Sequence, residues 1–154
     1  MAHTYTAEII WERGGRKFSD NLYSRKHTLR FDGGISIPGS SSPLVVPLPY
    51  SEPNAVDPEE ALVSAISSCH MLWLLSIAAR NGFIVDSYHD RAVGIMTPNE
   101  RNKYWVSSVT LHPRILFSGD QMPSKAKIEA MHQEAHDECF IANSVKTDIQ
   151  IRPQ

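Results

Sequence analysis

The stretch DPEEALVSAISSCHMLWLLSIAARNG, residues 57–82, decides the fold, because no Asp, Glu, Lys or Arg occurs from Ala61 to Ala79. Asp57 is a good N-cap, Pro58 suits the first helical position and Glu60 completes a capping-box start. Asn81-Gly82 is the matching stop signal. Between these ends Leu62, Val63, Ile66, Met71, Leu72, Trp73, Leu74, Leu75 and Ile77 place apolar side chains around the whole circumference. A helix of that kind is expected to be buried on all sides, so the rest of the chain must supply its wall. Its length is close to the roughly 20 apolar residues that cross a bilayer. Ser64, Ser67, Ser68, His70 and Ser76 interrupt the run, however, and a central core helix is the expectation.

Upstream, TYTAEIIWE (residues 4–12) and HTLRF (27–31) read as strands, and Asp32-Gly33-Gly34 is a hairpin signal from which ISIPG returns. The segment SSSPLVVPLPYSEPNAV carries Pro43, Pro47, Pro49 and Pro53, which exclude a central strand and leave an extended loop. Downstream, FIVDSYHDRAVGIM reads as one or two strands and TPNERN as a turn. YWVSSVTLHPRILFSG is a long strand or a pair bent near Pro113. Ser124 caps a second helix over residues 125–138, with Cys139 at or just beyond its end. In VKTDIQI, Val145, Thr147, Ile149 and Ile151 alternate onto one strand face. The order predicts one α+β domain over residues 1–154, its mainly antiparallel sheet wrapped around the central helix. A second subunit is a plausible part of the wall.

With 154 residues and a formal net charge of -2, the chain is long enough for a substantial core and offers no electrostatic footprint for nucleic acid. The stretch MAHTYTAEIIWERGG lacks a basic segment followed by an apolar one. No signal peptide is expected, and a cytoplasmic location is the default. In that compartment two cysteines imply reactivity or burial before a permanent staple.

Cys69 sits halfway along the apolar helix. Read alone, it is either an inert core residue or a nucleophile that needs an external cation, because the helix dipole fades within the first turn. Glu59, ten residues earlier, is about 15 Å away along the axis. The two side chains meet at one site only if an arginine bridges them or Glu59 comes from another subunit. His132, His136 and Cys139 share a helix face, and as a set they offer three zinc ligands. HQEAH departs from HExxH by one position, and no second cysteine pair completes a structural site. There is no G-x-S-x-G elbow and no phosphate-binding glycine loop.

DPEEALVSAISSCHMLWLL, then AARNGF and, 70 residues beyond the first cysteine, ECFIANSV, together resemble the OsmC/Ohr family of thiol-dependent hydroperoxide reductases, in its Cys-His-Met branch. The resemblance covers most of the chain. It implies an intertwined α+β homodimer with a site at each subunit interface, Cys69 as peroxidatic cysteine, Cys139 as resolving cysteine, and Glu59 as the glutamate that holds a catalytic arginine. Arg25 is the preferred arginine, and Arg30 is the alternative. It further implies organic hydroperoxides as substrates, a dithiol such as dihydrolipoamide as reductant, and neither bound cofactor nor membrane partner. Phe140 stands where several relatives carry Pro.

Overall fold

The computed structural model describes residues 2–154. Its first unit ends at Ala61 and its second runs Leu62–Gln154. In the first unit, strands β1 (Ala7–Ile10), β2 (His27–Phe31) and β3 (Ser36–Gly39) form an antiparallel sheet in that order. The β2–β3 hairpin turns where expected, with Gly34 at φ 84, a conformation that costs a residue without Cβ little. The proline-rich segment forms turns rather than strand. It is tied back to β3 by the bridge between Gly39 and Val56, and Glu52 N–H donates to buried Ser40 Oγ at 2.9 Å.

Helix α1 (Pro58–Arg80) begins and ends at the signals in the sequence. Glu60 N–H donates to Asp57 Oδ1 at 2.8 Å and Asp57 N–H to Glu60 Oε2 at 3.2 Å, which completes the capping box. At the other end Gly82 takes φ 78, its N–H bonds to Ala79 O, and Phe83 N–H bonds to Ala78 O. These two bonds make a Schellman stop.

The second unit surrounds the rest of α1 with two sheets and a helix. Strands β4 (Ile84–Asp90) and β7 (Pro113–Ser118) pair antiparallel. Strands β5 (Val93–Pro98), β6 (Tyr104–Leu111) and β8 (Asp148–Ile151) form the other sheet, β5–β6 antiparallel and β6–β8 parallel. The segment YWVSSVTLHPRILFSG therefore splits at Pro113, and its halves enter different sheets. Pro113 has no N–H for a ladder. His112, just before it, donates its N–H to the Asp90 carboxylate at 2.6 Å. Helix α2 (Lys125–Glu138) starts at Ser124, whose Oγ accepts from Lys127 N–H at 3.2 Å.

Two apolar clusters share α1. Ile66 packs with Val109 and Leu111 of β6, joined by Val63, Ile149 and Ile151. Leu74, Ile77 and Ala78 pack with Met131 and Ala135 of α2, joined by Val85, Ile115 and Phe117 of β4 and β7. Gly94 lets β5 approach closely, since a Cβ there would lie 2.5 Å from Val63 Cγ2. The wall that the second unit supplies is one-sided. Ile66, His70, Leu74 and Ile77 are buried, whereas Glu60, Ser64, Ser68, Leu72 and Ser76 form an exposed row spaced four apart, with Leu72 60% exposed. By length and composition α1 would cross a membrane, yet Ile66, Leu74 and Ile77 lie inside the chain's own cores.

Candidate active site

The two cysteines arrive from different helices. Cys69 is half-buried in the middle of α1, between Ile66 of one apolar cluster and Leu74 of the other along the helix. Cys139 is the C-cap of α2 and only 1% exposed. Cys69 lies close enough to act on the Cys139 thiol, whose sulfur accepts from Ala142 N–H at 3.4 Å. Both thiols are free. Burial pushes the Cys139 thiol up to about 11, and the hydrogen bond and charge of Cys69 push the same way. The N–H groups of Ala142 and Ile141 oppose the rise. Near neutral pH Cys139 is therefore a protonated donor facing Cys69.

The turn after Cys139 is fixed by its own side chains. Asn143 Nδ2 donates to Asp137 O at 2.8 Å and to Cys139 O at 3.1 Å, and Ser144 Oγ donates to Phe140 O at 2.7 Å. These bonds favour the short 3-10 turn Ala142–Ser144, which aims the Ala142 amide at the sulfur. Phe140, 66% exposed, meets Trp73 edge to face with ring centroids 5.5 Å apart. Trp73 lies one helical turn beyond Cys69 and Phe140 directly follows Cys139, so the aromatic pair links the two cysteine-bearing segments.

The charged residues of the sequence reading are placed differently. Arg25 donates to Asn21 O at 2.9 Å, Tyr23 O at 2.5 Å and Asn21 Oδ1 at 2.7 Å, and its guanidinium lies 3.9 Å over the Tyr23 ring. Arg30 pairs with Glu8 across β1 and β2 at 3.2 Å, both ends exposed. Glu59 sits in the first turn of α1 and makes no ion pair among the described residues. The structure thus brings Cys69 and Cys139 together and leaves Arg25 and Glu59 unpaired with each other.

The zinc alternative is corrected by the geometry. His132, His136 and Cys139 do not converge, and no cluster of three or more His, Cys, Asp or Glu suited to a metal occurs among the described residues. His132 instead turns its Nδ1 toward Nε2 of His70, 2.9 Å away.

Sequence reasoning missed that pair. His70 is 1% and His132 3% exposed. Desolvation, reinforced by His132 and His136, holds His70 down to about 3. Desolvation, opposed by Asp90, holds His132 down to about 4. Asp90 itself also accepts from Ser67 Oγ at 2.5 Å. Both rings are therefore neutral at physiological pH. The unfolded chain protonates them near 6.5, and the folded one does so only near 4 and 3. Below pH 6.5 the unfolded state binds more protons, so stability falls as pH drops through that window. By pH 5 each histidine costs on the order of 2 kcal/mol relative to pH 8. Urea midpoints at pH 8 and pH 5 check this. A His70→Gln/His132→Asn protein is expected to show a clearly shallower loss, and identical losses would refute the assignment.

These features define an α+β protein whose two helices bring its two free cysteines together. The chain belongs to the OsmC family: the family profile, described as OsmC-like protein, matches residues 51–154. An OsmC-like protein of unknown function from Vibrio cholerae is 48% identical, with a TM-score of 0.97 over 99% of this chain and 100% of that one. An OsmC-like protein from Mycoplasma pneumoniae, 14% identical, shares the fold at a TM-score of 0.75 over 100% and 98% of the two chains. An organic hydroperoxide resistance protein from Elizabethkingia anophelis, 15% identical, does so at 0.70 over 99% and 95%. No curated protein matches the chain significantly.

Proposed function

We propose that this OsmC-family chain is a thiol-dependent peroxidase that reduces organic hydroperoxides through Cys69 and Cys139. The observation that carries the reading is the closeness of the two free thiols, with half-buried Cys69 acting directly on buried Cys139. The hydroperoxide-resistance name of the Elizabethkingia relative supports the substrate class.

The Cys69 thiolate attacks one peroxide oxygen and breaks the O–O bond. The alkoxide takes a proton and leaves as alcohol, and Cys69 becomes a sulfenic acid. Cys139 sulfur then attacks Cys69 sulfur, the S–O bond breaks, and the hydroxide leaves as water with the Cys139 proton. A dithiol of the dihydrolipoamide kind exchanges with the disulfide and restores both thiols. Trp73 and Phe140 present an apolar wall beside the sulfurs, which suits an organic substituent better than hydrogen peroxide.

In this reading Arg25 supplies the guanidinium that favours the thiolate, and Glu59 holds it. A homodimer covering the exposed row of α1 provides the second chain that the separation of Glu59 from Cys69 along the helix calls for, about 15 Å at about 1.5 Å per residue. Residues 1–154 act as one OsmC-like domain in the cytoplasm.

The intact mass before and after one equivalent of cumene hydroperoxide tests the reading. The expected product is lighter by two hydrogen atoms, with both thiols closed to alkylation. An unchanged mass with two alkylatable thiols would make the chain a non-enzymatic member of the fold.

A further inference from the structure

Cys69 and Cys139 meet only if α1 and α2 are held at the right distance and rotation. Apart from the two cysteines, two polar side-chain pairs tie these helices among the described residues. One is Arg80 to Glu134 at 3.0 Å, both roughly half exposed and therefore a weak constraint. The other is His70 to His132, buried, at 2.9 Å and 62 residues apart in the chain.

The ring geometry says what kind of tie this is. The planes differ by 3° and the centroids are 5.2 Å apart. With 2.9 Å between the facing nitrogens, that centroid distance equals the nitrogen separation plus the two ring radii. The rings are coplanar and meet head on, as a directional N–H···N bond requires; they are not stacked face to face. His70 follows Cys69 directly, and His132 lies two turns before Cys139 on the same face of α2. An apolar contact tolerates sliding. A buried hydrogen bond between two planar rings does not.

We propose that the His70–His132 pair is a positioning element that sets α1 against α2 so that Cys69 and Cys139 sulfur atoms lie in bonding register. His132 Nε2 is fully enclosed and has no partner among the described residues, so the pair is not an optimised core contact. Leaving a buried imidazole nitrogen unsatisfied is costly, and an apolar side chain of similar size would avoid that cost. Its presence is explained by the direction it imposes.

The inference rests on the disulfide of the proposed function, and its test separates the two. The equilibrium is protein disulfide plus reduced dithiothreitol giving two protein thiols plus oxidised dithiothreitol. It is read by alkylation and mass across a series of dithiothreitol ratios, with no peroxide present. His70→Leu/His132→Leu replaces both partners by apolar groups and is expected to fold. It should shift the equilibrium toward the dithiol at least tenfold. His70→Gln/His132→Asn sets the NH2 of one amide against the carbonyl oxygen of the other where the imidazole nitrogens met, and should return the constant to within threefold of wild type.

A wild-type constant in the leucine pair overturns the positioning role. So does an amide pair as poor as the leucine pair. Failure of the leucine pair to fold overturns it too, by making the histidines a requirement of the core. A wild-type protein that forms no internal disulfide at any ratio removes the proposed function, and the positioning role with it.

Discussion

Cys69→Ser is expected to lower the reduction of cumene or tert-butyl hydroperoxide by roughly 10³-fold or more, to the rate without protein. A serine hydroxyl at this site is neither ionised near neutral pH nor oxidised by a peroxide, so the first step has no nucleophile. The fold should survive, because residue 69 is half-buried and the exchange of sulfur for oxygen leaves the packing of Ile66 and Leu74 in place. Thermal unfolding run beside the peroxide assay separates loss of chemistry from loss of structure. A second readout comes from Cys139. Its thiol is held high first by burial and then by the hydrogen bond and charge of Cys69. Without Cys69 those last two contributions vanish, and Cys139 should titrate lower, by alkylation rate against pH. Peroxide turnover at wild-type rate in a folded Cys69→Ser protein would end the proposed function.

How far the sequence speaks depends on how local the cause is. The start of α1 was legible because Asp57, Pro58 and Glu60 act within one turn, and its end because Asn81 and Gly82 do. The break at Pro113 and the alternation of β8 were legible for the same reason, although β8 forms only over Asp148–Ile151. The parallel pairing of β8 with β6 was not, because period-two alternation fixes a face but no neighbour. Apolarity all round α1 says that its faces need covering, not which chain covers them. Here the residue-level reading met its limit: one face is closed by this chain and the Ser64–Ser76 row is open. At the site, the meeting of Cys69 with Cys139 was reachable only through the family resemblance, since 70 residues separate them. His70 and His132 carried no signal at all, because a histidine in an apolar run reads the same whether or not another waits across the core. The local ties of Arg25 to Asn21 and Tyr23 were likewise beyond the sequence, which names the residue type but not its partners.

Cys139→Ser is expected to split the reaction at its midpoint. The first equivalent of organic hydroperoxide should be consumed at the wild-type rate, since Cys69 and the apolar wall of Trp73 are intact. Turnover should then fall by roughly 10²-fold or more, because an external thiol replaces one held against the reacting sulfur. A sulfenic acid should accumulate at residue 69, read as a dimedone adduct by mass spectrometry. The wild-type step has its own pH signature. Once Cys69 is a sulfenic acid it bears no charge, but burial, the largest cause, still keeps the Cys139 thiol high. The reactive thiolate fraction therefore grows about tenfold per pH unit below that value. Disulfide closure in the wild type should accelerate from pH 6 to pH 9, while the Cys139→Ser protein shows no closure at any pH. A Cys139→Ser enzyme that cycles at full speed, with no dimedone adduct, would remove the resolving role from Cys139 and leave Cys69 to an external thiol.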